Sequence, residues 1–117
     1  MSLRTAIKYE VELSNTKCFT WKDAPTINPI INALAEEDAE FSSEEWVYSE
    51  EIKANREKLL ANLDKLITPD ETWAFHDDLE FQLNYIEKFT RETIYNNLKT
   101  LIEQSDSRNK YVYFFWE

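Results

Sequence analysis

The stretch TWAFHDDLEFQLNYI, residues 72–86, decides how the rest of the chain is assembled. Leu79, Phe81, Leu83 and Tyr85 alternate with Glu80, Gln82 and Asn84, the period of two of a half-buried strand. Trp73 and Phe75 flank Ala74 in the same manner, with Asp77-Asp78 between the two runs. The alternation predicts a hairpin of Thr72–His76 and Leu79–Ile86. A competing pattern runs through the same residues: Leu79, Leu83, Ile86 and Phe89 lie on one helical stripe, and Thr68-Pro69-Asp70-Glu71 is a capping-box pattern that announces a helix start.

Outward toward the N-terminus, Ile7, Tyr9, Val11 and Leu13 alternate with Lys8, Glu10 and Glu12 and predict a strand with one wet face. Ser14–Lys17 reads as a turn and Cys18–Trp21 as a short returning strand that Pro25 ends. Asn28 and Pro29 suit the cap and first position of a helix that carries Ile27, Ile31, Leu34 and Ala35 on one face. Ser49-Glu50-Glu51 is expected to open a second helix, with Ile52, Leu59, Leu63 and Leu66 as its apolar stripe and Leu60 beside it.

Outward toward the C-terminus, Ile94, Leu98, Leu101 and Ile102 give an i, i+4, i+7, i+8 face for a helix from Arg91 to Gln104. A polar loop, residues 105–109, precedes Tyr111–Trp116, an aromatic run apolar on both sides that belongs in the middle of a sheet or against a second surface. Together these elements predict an α+β fold: an antiparallel sheet with helices on one face, in ferredoxin-like (split βαβ) order with an extra helix in the first crossover. The alternative is a helical bundle with paired terminal strands. Residues 1–117 are expected to form a single compact domain, in which Met1-Ser2-Leu3 has the look of a vector remnant.

Composition narrows function more than it names it. The chain contains no glycine, which removes phosphate-cradling and dinucleotide loops and the glycine-flanked serine elbow. One Cys excludes an internal disulfide and one His leaves little for a zinc site. Cys18, among aromatic residues, reads as a buried and inert thiol. No run approaches the ~20 apolar residues of a bilayer span, and charges at Arg4, Lys8, Glu10 and Glu12 interrupt any signal-peptide core. A cytoplasmic location is the expectation. A net charge of −10 opposes binding to nucleic acid or to an anionic membrane and favours a basic partner.

That charge is unevenly laid out. Between Lys22 and Lys53 there are no bases, while Asp23, Glu36, Glu37, Asp38, Glu40, Glu44, Glu45, Glu50 and Glu51 crowd together. A second base-free stretch, between Lys65 and Lys88, holds Asp70, Glu71, Asp77, Asp78, Glu80 and Glu87. Packed like charges repel, and interspersed Lys would serve solubility at lower cost. The partner-binding candidates are therefore Glu36, Glu37, Asp38, Glu40, Glu44 and Glu45, with Trp46 and Tyr48 as apolar anchors and Phe41 threaded among them. The plainer explanation is a solvated face with the aromatics in the core.

Three functions follow. The first is a small acidic protein-binding module that docks on or neutralises a basic partner, with immunity proteins and nucleic-acid mimics as physical models. The second is a metal-dependent or acid/base site around His76, Asp77, Asp78 and Glu80, which is weak beside a simple polar turn. The third is a homodimer formed through the aromatic C-terminal strand, because Val112, Phe114 and Trp116 need cover if the other side of that strand faces the helices. No catalytic residue is assigned and no cofactor is implied. Ser42, Ser43 and Ser49 read as helix caps.

Overall fold

A computed structural model of the chain describes residues 1–8, 12–13, 19–68, 70–85 and 89–117. The expected turn at 14–17, Cys18, Pro69, Ile86 and Glu87 lie outside them.

The aromatic strand β5 (Tyr111–Trp116) sits inside the sheet, paired antiparallel on one edge with β1 (Leu3–Lys8) and on the other with β4 (Glu51–Asn55). The two-residue strands β2 (Glu12–Leu13) and β3 (Glu40–Phe41) extend the edges, giving the order β2-β1-β5-β4-β3 with every pairing antiparallel. This is not the split βαβ order, which places parallel strands side by side. The terminal strands do pair with each other, as the bundle alternative supposed, but within a larger sheet.

Among the described residues four helices accompany the sheet: α1 (Ala24–Leu34), α2 (Arg56–Asn62), α3 (His76–Tyr85) and α4 (Arg91–Gln104). The buried Thr5 Oγ1 donates to the Leu101 carbonyl of α4 at 2.6 Å, and Trp116 Nε1 donates to Asn28 of α1 at 2.9 Å. Both helices therefore cover the face on which Leu3, Thr5, Phe114 and Trp116 stand. Val112, Phe114 and Trp116 are buried beneath them, while Tyr111, Tyr113 and Phe115 are half-buried on the other face. On that face Lys53 Nζ stands 4.2 Å over the Tyr111 ring. The strand thus lies the opposite way round from the orientation that would have required a second copy to cover Val112, Phe114 and Trp116. Leu3 is fully buried opposite Trp116. Burying such a side chain contributes roughly 1.5–3 kcal/mol, and Leu3 belongs to the core.

Three expected elements take other forms. The Glu51–Asn55 run is a strand, not a helix start: Ile52 and Ala54 point into the core, and β5 and β3 satisfy its backbone groups. The helix begins only at Arg56, after Asn55 Oδ1 has accepted the Lys58 N–H at 3.1 Å. Leu59, Leu63 and Leu66 of the expected stripe are buried, the last two in a 3₁₀ turn, and Leu60 is exposed. α1 begins five residues earlier than expected, with Pro25 in its first turn and Pro29 within it. The predicted hairpin at 72–86 is instead a bend followed by α3. In a helix Leu79 and Leu83 share a face, whereas Phe81 lies about 200° round from Leu79. Leu79 is accordingly buried and Phe81 is 67% exposed.

Between Phe19 and Trp21 the chain does return to β1, through a Ser2–Thr20 bridge, but Trp21 opens a 3₁₀ turn rather than continuing a strand. α4 and β5 occupy the spans expected, with Thr90 capping α4 by accepting the Thr93 N–H at 3.2 Å.

Candidate functional site

The acids of the first base-free stretch do not form one patch. They divide according to how α1 ends and how the β3–β4 connection is held.

α1 closes in a Schellman motif: the Glu37 N–H reaches back to Asn32 O at 2.8 Å and the Glu36 N–H to Ala33 O at 3.1 Å. Such an ending needs left-handed backbone, and a chain without glycine places Glu36 (φ 57°) and Glu37 (φ 62°) there. Both carboxylates are exposed. The next two acids are engaged by bases: Asp38 Oδ2 with Lys58 Nζ at 3.0 Å, and Glu40 Oε2 with Lys53 Nζ at 3.7 Å. The hydrogen bond to Asp38 holds the Lys58 ammonium above its ordinary pKa, with a further pull from the Asp38 and Glu36 charges. Glu36, Glu37, Glu44 and Glu45 have no ion-pair partner among the described residues.

The β3–β4 connection carries Glu44, Glu45, Trp46 and Tyr48, with a 3₁₀ turn at Trp46–Tyr48. Two buried side chains, Asn28 and Ser49, hold it. Asn28 Nδ2 donates to the carbonyls of Trp46, Val47 and Ser49 at 3.1, 3.2 and 3.2 Å, while its Oδ1 accepts from Trp116. Asn28 is thus an internal anchor and not the helix cap expected. Nor are the serines caps: the buried Ser49 Oγ accepts the Ser43 N–H at 3.1 Å, donates to Glu51 O at 3.2 Å and lies 2.9 Å from Ser42 Oγ. The segment so fixed presents Trp46 at 39% and Tyr48 at 51% exposure. Each ring keeps one aromatic neighbour, Phe41 at 5.5 Å and Trp21 at 6.1 Å.

The second base-free stretch meets the first at the far end of α1. Thr26 Oγ1 contacts Gln82 Oε1 at 3.4 Å, and Ala33 and Phe75 line a common cleft, so α3 runs antiparallel along α1. The cleft measures about 320 Å³. Glu36, Glu37 and Asp78 stand around it, Trp73 and Phe75 form an edge-to-face pair in its wall, and Asn62 and Lys65 complete it. Leu34, the last residue of α1, lies about 9 Å along the helix axis from Asn28, which separates this cleft from the Trp46–Tyr48 turn. Sequence patterns missed Trp73, Phe75 and Asn62 because the first two were placed in a strand and the third within a helix face.

The His76, Asp77, Asp78 and Glu80 group does not converge. Glu80 forms an ion pair with Arg91, Asp78 belongs to the cleft, and Asp77 is exposed. Among the described residues no three His, Cys, Asp or Glu side chains are grouped to hold a metal ion. Among them, too, no helix is long and apolar enough to cross a membrane. No family model, curated protein or solved structure matches the chain.

Proposed function

We propose that the chain is a binding module that docks on a basic protein partner through its acidic face, with Trp46 and Tyr48 as the apolar anchors. One observation carries this: both rings are exposed beside the carboxylates of Glu44 and Glu45, which are unpaired among the described residues, on a segment tied down by Asn28 and Ser49. A large aromatic left wet forgoes roughly 1.5–3 kcal/mol of burial, and the cost is recovered only when a partner covers it. Because the backbone of the segment is already ordered, little conformational entropy is lost on docking. The carboxylates steer a cationic surface into contact, and the aromatics hold it once water is expelled. Neutralising a basic protein in this way is the action of an immunity protein or a nucleic-acid mimic.

The test is capture of a partner from a cell lysate at low and moderate salt, with Glu36, Glu37, Glu44 and Glu45 all changed to Lys in a control bait. The expected result is a basic protein retained by the native bait alone. Its affinity, measured with purified partner, should fall by about tenfold or more on going from low to moderate salt. A retained protein that binds the reversed bait equally, or whose affinity ignores salt, overturns the proposal.

A further inference from the structure

We infer that the cleft between the end of α1 and the start of α3 is a receptor for one arginine side chain of the basic partner. The inference rests on the docking function proposed above and adds a second contact for the same partner, apart from the Trp46–Tyr48 turn. Three independent features point to a guanidinium. First, the polar rim is nearly all acceptor: the Glu36, Glu37 and Asp78 carboxylates come from two helices that the fold brings together. Second, Asn62 is only 9% exposed and lines the cleft, with both Nδ2 hydrogens committed to Leu34 O at 2.9 Å and Lys58 O at 3.0 Å. Its Oδ1 has no hydrogen-bond partner among the described residues. That acceptor opens on the cleft, where an entering donor takes the place of water. Third, the wall includes Trp73, whose ring already attracts the chain's own Lys65 Nζ to 5.9 Å from its centroid.

Among biological cations, arginine fits this set best. Its planar guanidinium stacks on an indole, presents a two-pronged donor edge to a carboxylate, and is shed of water more readily than an ammonium. The volume lies near the lower end of the roughly 300–1,000 Å³ of small-molecule sites, which suits one side chain rather than a cofactor. Lys65, sharing the cleft, competes with the incoming cation.

The probe is N-acetyl-arginine-N-methylamide, titrated against the folded chain while the Trp73 indole signal is followed by NMR. The citrulline analogue, neutral and of the same shape, and the lysine analogue serve as comparators. Saturable arginine binding that shifts the Trp73 signal is expected, with citrulline not binding. Asp78→Asn, an exposed substitution, should weaken it roughly tenfold. Lys65→Met should tighten it by removing the competing charge. Equal binding of arginine and citrulline, preference for lysine, or no saturation overturns the inference. The two proposals fail separately. A captured partner whose affinity is indifferent to Asp78→Asn leaves the docking function standing and removes the cleft from it. Arginine binding without any captured basic protein removes the docking function and leaves the cleft a guanidinium site.

Discussion

Asn28 and Trp116 lie 88 residues apart in sequence and are joined by one buried hydrogen bond, indole Nε1 to amide Oδ1 at 2.9 Å. The same amide holds three carbonyls of the 46–49 segment through Nδ2. One side chain thereby ties α1, the end of β5 and the turn that displays Trp46 and Tyr48.

Replacing Asn28 by Ala should therefore destabilise the chain by about 3 kcal/mol, since several buried polar groups lose their partner together. Denaturant unfolding measures the loss. Hydrogen exchange should show the Tyr48 and Ser49 amides, which donate to Glu45 O and Trp46 O within that turn, losing protection earlier than those of α4.

The helical course of 76–85 separates Leu79 from Phe81. Leu79→Ala should cost about 2–5 kcal/mol, and Phe81→Ser less than about 1 kcal/mol. In a strand the two would share a face and their costs would be similar, so the pair of unfolding midpoints distinguishes the two structures.

Glu36 occupies left-handed backbone that favours glycine. Glu36→Gly should stabilise the chain by about 0.5–1 kcal/mol, the relief of the side-chain clash outweighing glycine's greater freedom when unfolded. Glu36→Ala, which lacks the carboxylate but keeps the Cβ, should give no such gain. A thermal melt of both variants separates charge from backbone.

Arg56 binds four acceptors around the end of α4 and the loop after it: Asn109 O, Ile102 O, Ser105 Oγ and Asp106 O, at 2.9, 3.3, 2.7 and 2.6 Å. Burial lowers its pKa against an opposing pull from Asp106, yet no ordinary pH deprotonates it. Arg56→Lys cannot span this set and should cost about 2 kcal/mol, with Arg56→Ala worse. Equal stability of wild type and Arg56→Lys would contradict the arrangement.

Asp70 accepts hydrogen bonds from the Thr72 hydroxyl and N–H, which hold its carboxyl below the ordinary value. A group whose folded pKa is depressed contributes stability above its unfolded pKa and loses it as pH falls through the folded one. Its share of stability should thus disappear in acid, below about pH 4. Carbon-13 titration should find Asp70 low in the native chain and closer to the ordinary value in Thr72→Val.

Much of this was legible in the residues. α4 and β5 were readable because each carries its own evidence: four aliphatic positions in helical register, and an aromatic run too apolar to leave either side in water. Ile27, Ile31, Leu34 and Ala35 lie on one helix, as their spacing implies, and all four are buried, though that helix starts earlier than its local signals suggest because Asn28 resembles a cap when its distant partners are unseen. Ile52 was misplaced because its spacing from Leu59 matched a helix by accident. Of the candidate partner-binding residues, all six acids, Trp46 and Tyr48 are exposed, but Asp38 and Glu40 are occupied by lysines that no local pattern relates to them.

By itself the sequence determined the class and the character of the molecule: an α+β chain, strongly acidic, without the glycines that several chemistries demand. These are properties of composition and of periodicity over ten residues or more. Tertiary structure alone decided whether 51–55 was strand and 76–85 helix, what Asn28 was for, and which acids share a surface. Short segments satisfy either pattern locally, and the choice falls to hydrogen-bond partners and packing surfaces supplied from far along the chain.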